Sequence, residues 1–308
     1  MAGTAAPTEL RVACLGLGNM GQGIARSIAE AGFETVVWNR SRDKAEAFAH
    51  SSTAVASPTP ASAVADADVI VTCLFDDESV LETTTGTDGI LTSMKADALH
   101  LGTTTVSPAC TRMLVDAHAA AVRRYAAAHV LGRPDVAARG ELTILAGGSG
   151  TDIDAGRPVL DAFGSTVVVV GDDPVQATSA KLIANATIVT VIELAAELST
   201  WAERADVPAA VVQGLLTTIL GGAGAKAYVE RVVTGTYEPG GFALTGGMKD
   251  VDMMRAAAGE ARVGVPVLDV IHEHLVAANQ AGLGAEDWSA LAEILRRDAG
   301  LPMRVTRS

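Results

Sequence analysis

The first half of the chain alternates short apolar runs with amphipathic stretches of helical period, whereas the second half shows helical patterns throughout. The apolar runs predict strands at residues 12–15, 35–38, 69–74, 98–101, 127–131, 142–146 and 167–170. Helical patterns lie between most of these runs, for example over residues 108–121. Such alternation is typical of an α/β domain with a parallel, doubly wound sheet.

The strand pattern ends at Gly171, and Asp173 is placed to cap a helix whose first residue is Pro174. Helix-like segments follow at residues 175–204, 208–220, 223–234, 245–263, 266–281 and 289–298. Glycines, prolines or short polar turns separate them. The pattern therefore predicts an α/β domain over residues 1–172, and an all-helical domain over residues 173–308 that opens with a long connecting helix.

A glycine-rich turn follows the first predicted strand. Gly16, Gly18 and Gly21 enclose Leu17 and the pair Asn19-Met20 in the order G-x-G-x-x-G, and a helical pattern follows directly. The first glycine permits a tight turn, the second admits a pyrophosphate, and the third allows close packing of helix and strand. A strand before the motif and a helix after it are the context that a dinucleotide site requires. The sequence thus predicts a Rossmann domain with Gly16–Gly21 against the cofactor.

The end of the second predicted strand indicates which nucleotide binds. An NAD site usually places Asp or Glu there to accept a hydrogen bond from the ribose 2′-OH. This chain has neutral Asn39 followed by Arg40 and Ser41, and an arginine fork can hold a 2′-phosphate bidentately. We therefore expect NADPH, with Arg42 and Lys44 adding to the positive rim. The alternative is that Arg40 merely solvates the end of a strand.

Composition narrows the function classes. Of the 308 residues, 49% are apolar and 19% are charged, which suits a large core. The net charge is −13 and no block of Lys and Arg occurs, so we expect no nucleic-acid partner. The three cysteines are widely spaced and indicate no disulfide framework. The N-terminus lacks the features of a secretory signal, so we expect a cytoplasmic protein. We expect no metal site, since His272 and His274 stand two residues apart on a predicted helix and face different ways.

One apolar segment, residues 182–201, is about as long as a membrane span. It contains Asn185, Glu193 and Glu197, which are costly in lipid. We therefore interpret it as a long helix buried within protein rather than as a membrane anchor.

Candidate chemistry lies on the connecting helix. Thr178, Lys181 and Asn185 stand at spacings of three and four residues, which places them on one helix face. Partial desolvation disfavours the charged form of a lysine and brings its pKa toward the range useful for acid/base chemistry. From spacing alone, this face suits a catalytic pair and a solvated surface equally well.

Taken together, these motifs resemble the β-hydroxyacid dehydrogenases, which include 3-hydroxyisobutyrate dehydrogenases and short semialdehyde reductases. Thr104 and Thr105 lie in a stretch that resembles the loop near the nicotinamide, and Lys181 with Asn185 resembles the catalytic lysine and its asparagine. Phe242 and the run that contains Lys249 resemble a segment of the helical domain whose lysine reaches the cofactor. The resemblance implies a C-terminal domain like that of 6-phosphogluconate dehydrogenase and packing of copies through it.

The resemblance thus implies a reductase of a small carbonyl substrate that uses Lys181 as acid/base, supported by Asn185 and Thr105. The expected cofactor-binding residues are Gly16, Gly18, Asn19, Met20, Gly21, Asn39, Arg40, Ser41, Leu74, Thr104 and Lys249. We also expect a homodimer, since the helical half is rich in alanine and contains a long apolar helix.

Two departures from the family pattern bear on the substrate. Leu131 stands where the family has a serine that helps to hold a substrate carboxylate, and Arg133 follows two residues later. Only the second of two usual asparagines after the lysine, Asn185, is kept. The imine reductases, a sister group, share the run that ends in Asn39-Arg40 but typically carry Asp or Tyr where this chain has Lys181. Imine reduction with NADPH is therefore the alternative function, and a non-catalytic NADPH-binding sensor is the second.

Overall fold

The computed structural model describes residues 10–238 and 240–305. The N-terminal segment that lacks signal-peptide features lies, apart from Leu10, outside the described residues. The chain divides into two compact units, one that ends at Ala186 and one that begins at Thr187, so the division falls inside a helix. Each unit is described by itself.

The first unit is built on one eight-stranded sheet with the order β3-β2-β1-β4-β5-β6-β7-β8. The strands are β1 (Arg11–Leu15), β2 (Glu34–Trp38), β3 (Val55–Ala56), β4 (Val69–Thr72), β5 (Leu99–Gly102), β6 (Arg124–Leu131), β7 (Leu142–Gly147) and β8 (Gly164–Gly171). All neighbours pair in parallel except β6 and β7, which are antiparallel. The predicted doubly wound α/β fold is confirmed, with one antiparallel pair in an otherwise parallel sheet.

Strand burial explains why the apolar runs located the strands so well. Every residue of β4 is buried, as are the last four of β1, because helices cover both faces of a doubly wound sheet. Two buried clusters lie on the first unit's sheet, one around Ile24, Val71 and Phe163, and another around Ile70 and Met94. The sequence pattern missed β3, since two residues give no detectable period.

Helices connect these strands. They are α1 (Asn19–Glu30), α2 (Arg42–His50), α3 (Pro60–Val64), α4 (Asp77–Thr85), α5 (Pro108–Ala120), α6 (Pro134–Ala137), α7 (Gly150–Phe163) and α8 (Pro174–Arg204). As predicted, α8 begins at Pro174, and the Asp173 carboxylate accepts a hydrogen bond from the Val175 N–H at 3.0 Å. The start of α8 packs on β7, where a Cβ on Gly147 would lie 2.8 Å from that of Ala177.

The second unit contains the rest of α8 and further helices, as the sequence predicts. They are α9 (Ala209–Gly221), α10 (Ala223–Thr234), α11 (Leu244–Glu260), α12 (Pro266–Gln280) and α13 (Ala292–Asp298), with a short 3₁₀ turn at Trp288–Leu291. Its main core gathers around Leu244, Val251 and Leu275. A buried carboxylate, Glu293, accepts hydrogen bonds from the Tyr237 hydroxyl at 2.6 Å and from the Arg304 backbone, which ties the end of the described chain to this unit.

The expectation that the apolar segment of α8 is buried is wrong for the single chain. An 18-residue window of this helix has a mean hydropathy of 1.5, and 6% of that window is buried. Ile188, Val189 and Ile192 are 56%, 60% and 61% exposed. Length and composition alone would suit a membrane span, yet the same features suit a helix that another protein chain covers.

Candidate active site

The glycine turn joins β1 to α1 and has the geometry that the motif requires. Gly16 has a φ of +99°, and a Cβ on it would lie 2.2 Å from the Cys73 carbonyl oxygen. A Cβ on Gly21 would lie 2.0 Å from the Gly16 carbonyl oxygen. By contrast, a Cβ on Gly18 would have no heavy atom within 4 Å. Gly18 therefore leaves open space before the first turn of α1, which no side chain caps, so its free N–H groups can receive an anion.

The loop after β2 is tied to this turn by Asn39. The side-chain oxygen of Asn39 accepts a hydrogen bond from the Leu17 N–H at 2.9 Å, and its amide nitrogen donates to the Ser41 carbonyl at 3.0 Å. Both polar ends of the Asn39 side chain are thus used to hold backbone. Asn39 sets the position of the glycine turn relative to the residues that follow β2.

Positive charge stands beside this loop. Arg40 and Lys44 line the same cavity as the glycine turn, whereas Arg42 pairs with Glu46 at 2.7 Å and does not line it. The pKa of the Asp76 carboxyl is lowered, first by the hydrogen bond from the Ser79 N–H and further by the charge of Arg40. Of the three basic residues that the sequence singled out here, two therefore face the cavity.

The loop between β5 and α5 is fixed by its own hydroxyl groups. The Thr104 hydroxyl accepts a hydrogen bond from the Leu74 N–H at 2.8 Å. Asp77 accepts two more from Ser107, from its N–H at 2.9 Å and from its hydroxyl at 2.5 Å. Between these anchors, Thr105 is exposed and lines the cavity. Two neighbouring hydroxyl groups thus hold the loop, and Thr105 is left to meet a ligand.

Lys181 projects from the second turn of α8 into this cavity. Its side chain is partly buried, and desolvation lowers the pKa of its ammonium group. Within residues 10–238 and 240–305, Lys181 makes no hydrogen bond or ion pair, so its protons are available to a ligand. Asn185, one turn later, is also partly buried but does not line the cavity.

Thr178 differs from its helical neighbours on the predicted polar face. It is completely buried, and its hydroxyl lies 2.8 Å from the Thr111 hydroxyl and 2.8 Å from the His129 ring. The prediction that this helix face carries a catalytic pair or a solvated surface therefore does not extend to Thr178, which is buried against other side chains. The physical reason is that this first turn of α8 lies directly on α5 and β6, which the spacing within one helix does not reveal.

The cavity has a volume of about 1050 Å³ and lies entirely within the first unit. Of the site residues predicted from the sequence, those that line it are Gly16, Gly18, Asn19, Met20, Gly21, Asn39, Arg40, Ser41, Leu74, Thr104, Thr105 and Lys181. Lys249 belongs to the second unit, where its ammonium group pairs with Asp250 at 2.7 Å. The structure thus brings the glycine turn and Lys181 into one cavity.

The end of β6 and the residue that follows it contribute to the wall of the cavity. Val130 and Gly132 line it, whereas Leu131 and Arg133 do not. The Arg133 side chain is 86% exposed and pairs with Asp135 at 3.4 Å. Within the described part of the first unit, Arg133 therefore does not offer the cavity a positive charge in place of the serine that Leu131 replaces.

Sequence reasoning passed over two residues that shape this site. Asp77 anchors the loop of Thr105 through Ser107. His129 is buried, and its Nδ1 has no hydrogen-bond partner among the described residues. In both cases the partners lie about 30 residues or more away in sequence, so local patterns carry no signal. No group of three His, Cys, Asp or Glu side chains suited to a metal occurs among the described residues.

Two family models match the chain. One, the NAD binding domain of 6-phosphogluconate dehydrogenase, matches residues 11–171. The other, the NAD-binding domain of NADP-dependent 3-hydroxyisobutyrate dehydrogenase, matches residues 176–295. The chain belongs to the 3-hydroxyisobutyrate dehydrogenase-like family of NAD(P)-dependent oxidoreductases. The predicted family and enzyme class are thereby confirmed.

Individual relatives of this dehydrogenase-like protein agree with the assignment. An uncharacterized oxidoreductase of Bacillus subtilis is 32% identical, over 93% of this chain and all of the relative. A 3-sulfolactaldehyde reductase of Escherichia coli is 29% identical, over 96% of this chain and 98% of the relative. An imine reductase from Myxococcus stipitatus, solved with NADP⁺, has a TM-score of 0.80 at 21% identity and covers 93% of this chain and 99% of its own. The last shows a shared fold.

Proposed function

We propose that the protein reduces a small carbonyl compound with NADPH, as a 3-hydroxyacid dehydrogenase or semialdehyde reductase does, with Lys181 as general acid and base. The observation that carries this proposal is the position of Lys181, which lines the same cavity as the glycine turn and Arg40 and whose ammonium group has no partner among the described residues. A reductase needs a proton donor next to the site of hydride transfer, and a lysine in the same cavity as the glycine turn supports this arrangement.

The residues present fit a dinucleotide phosphate. The space over Gly18 and the uncapped start of α1 would receive the pyrophosphate. Arg40, Ser41 and Lys44 line the cavity and would hold the 2′-phosphate of NADPH. The neutral Asn39 stands where an NAD site usually has a carboxylate. Bound there, NADPH supplies a hydride. These features favour NADPH over NADH.

The proposed role of Lys181 follows from its surroundings. Its lowered pKa and its lack of an internal partner leave the ammonium group ready to give a proton to the oxygen of a forming alkoxide. In the oxidative direction the neutral amine accepts that proton from the hydroxyl group. The exposed Thr105 hydroxyl would orient the substrate, and Asn185, one turn beyond the lysine, would hold the substrate oxygen or orient Lys181. For Lys249 we propose contact with the cofactor.

Reduction of an imine is the second candidate. Arg133 points away to Asp135, and Val130 and Gly132 add no polar side chain to the cavity, so the described segment around Leu131 offers no side chain that would hold a substrate carboxylate. That composition favours a substrate without a carboxylate. The relatives that reduce a carbonyl carbon and the imine reductases with the same fold therefore define the two substrate classes to compare.

The exposed apolar side chains of α8 support a homodimer. Ile188, Val189 and Ile192 present a continuous apolar strip on this helix, and apolar surface of this kind is normally covered. We propose a cytoplasmic homodimer in which a second copy covers it, with the functional boundary between cofactor and helical domains near residues 172 and 173. Light scattering on the purified protein measures the mass directly, and a monomer at micromolar concentration contradicts this assignment.

The function is tested with a panel of semialdehydes, 3-hydroxyacids and cyclic imines, offered with NADPH and with NADH. We expect turnover of one class and preference for NADPH. Lys181→Met should lower kcat by a factor of about 100 or more while NADPH affinity changes less than about twofold. Lys226→Met, which removes an exposed lysine of α10, is the matched control. Undiminished turnover in Lys181→Met removes the lysine from the mechanism, and NADPH binding without turnover on any substrate supports a sensor instead.

A further inference from the structure

A buried hydrogen-bonded group lies behind the wall of the cavity. His129 of β6 is 1% exposed, and its Nε2 lies 2.8 Å from the Thr178 hydroxyl on α8. That hydroxyl also lies 2.8 Å from the Thr111 hydroxyl on α5. Three elements of the first unit are therefore joined at one point, and Thr178 precedes Lys181 by three residues on the same helix.

The second ring nitrogen of His129 completes the picture. Its Nδ1 is buried and has no hydrogen-bond partner in the part of the chain that the structure describes. The backbone carbonyls of Thr103 and Thr104 lie near the ring, where they favour a proton on it. If Thr178 donates its proton to Nε2, the proton of the neutral imidazole is on Nδ1. His129 then stands between the helix that carries Lys181 and the loop that carries Thr105.

We propose that His129 is a positioning residue of the reductase, a neutral imidazole that holds the first turns of α8 at a fixed distance from the Thr103–Thr105 loop and so aims the Lys181 ammonium group into the cavity. This inference rests on the proposed function, in which Lys181 exchanges a proton with substrate. His129 itself does not line the cavity and touches no reacting atom.

The charge state of the imidazole suits this role. Burial, together with the charge of Lys181, lowers the pKa of His129 to about 4, so the ring is neutral at physiological pH. A neutral ring packs beside the lysine without repelling its charged form. A lysine or arginine at this position would add a buried like charge, and an apolar residue would leave the Thr178 hydroxyl without one of its partners.

Substitutions at both ends of the contact test the inference. His129→Gln keeps a polar group near the position of Nε2, whereas His129→Phe removes both ring nitrogens. We expect His129→Gln to retain most of kcat and His129→Phe to lower it by about tenfold, with NADPH affinity changed less than twofold. Thr178→Val should act as His129→Phe does. Because the two residues act through one contact, the double variant should be no worse than either single one.

A second readout does not depend on turnover. The pH dependence of Lys181 acylation by acetic anhydride, followed by mass spectrometry, reports the pKa of its ammonium group. We expect His129→Phe to move that pKa upward toward the ordinary lysine value as the side chain gains solvent, with His129→Gln closer to the parent protein. Circular dichroism establishes that each variant is folded, and the glutamine variant serves if the phenylalanine variant is not.

The outcomes separate the two claims. Parent-like kcat and Lys181 reactivity in folded His129→Phe, or in folded Thr178→Val, overturn the positioning role. Additive losses in the double variant overturn it as well. Full turnover in Lys181→Met overturns the proposed chemistry, and the acylation profiles of the His129 variants then still decide whether His129 positions the lysine.

Discussion

Acidification should destabilise this protein well above the pH at which its carboxylates titrate, because several imidazoles are buried in neutral form. His100 and His118 form a directional chain in the first unit. The His118 Nδ1 lies 2.7 Å from the Leu114 carbonyl and must donate to it, so its Nε2 accepts from His100 Nδ1 at 3.0 Å. The remaining nitrogen of His100 then accepts from the Thr72 hydroxyl at 2.9 Å. Each proton in this series of hydrogen bonds therefore has one position, and an added proton on either ring breaks one of the hydrogen bonds.

The sign of the effect follows from the pKa values. Burial lowers the pKa of His100 well below 6.5 and also lowers that of His118. For His129 the value falls from 6.5 to about 4. Below pH 6.5 the unfolded chain takes up protons that the folded protein refuses, so the stability that these groups contribute is full above pH 6.5 and is lost as pH falls. His129 alone accounts for about 3 kcal/mol between its two pKa values, of which about 2 kcal/mol is lost by pH 5.

The assay is urea denaturation, followed by far-UV circular dichroism, at half-unit steps from pH 7.5 to pH 5. We expect the free energy of unfolding to decline steadily below pH 6.5. His129→Gln removes one of the three buried imidazoles and should flatten the decline by up to about 1.4 kcal/mol per pH unit. His50→Gln is the matched control, since His50 is exposed and lies in the same unit.

Asp68 and Asp287 lose their contribution to stability below the pH range of this assay. The lowered pKa values of Asp68 and Asp287 make their share of stability disappear only as pH falls below the unfolded value near 4. A free energy of unfolding that stays constant between pH 7 and pH 5 would refute the neutral buried imidazoles. The same holds if His129→Gln declines as steeply as the parent protein.

Three further predictions follow from the site and the second unit. Asn39→Asp keeps the oxygen that accepts from the glycine turn but adds a negative charge beside the proposed site of the 2′-phosphate, so the ratio of kcat/KM for NADPH over NADH should fall about tenfold or more. An unchanged ratio argues against a 2′-phosphate site beside Asn39. Gly18→Ala should leave Tm unchanged but weaken NADPH binding, which fluorescence titration measures, whereas Gly21→Ala should lower Tm because its Cβ would meet backbone atoms. Loss of the fold in both variants would contradict the open space over Gly18. Arg304→Ala removes the cation that pairs with the buried Glu293 carboxylate and should lower the free energy of unfolding, measured in urea, by about 3 kcal/mol. The exposed Arg297→Ala should lower it by less than about 1 kcal/mol, and equal losses in the two variants would disprove this prediction.

The parts of the fold that produce a periodic or continuous hydrophobic pattern could be predicted from the sequence. Buried strands such as β4 are continuous apolar runs, and α10 was predicted over the same residues that the structure gives it. The antiparallel pairing of β6 with β7 was not predictable, because strand direction depends on the path of the connecting segment rather than on residue type. Exposure of α8 was missed because an apolar helix reads alike whether its own chain or another chain covers it.

The site shows the same division between what is local and what is not. The glycine turn, Arg40 and Lys181 were predicted because each sits in a short motif whose chemistry is local, and they come to line one cavity. The sequence did not reveal which elements pack against the start of α8. Thr178 was grouped with Lys181 by helical spacing, yet the approach of β6 turns that residue into a buried partner of His129. Helical spacing defines a face but not the element that the face meets, so the residues that aim a catalytic group escape sequence analysis more readily than the group itself.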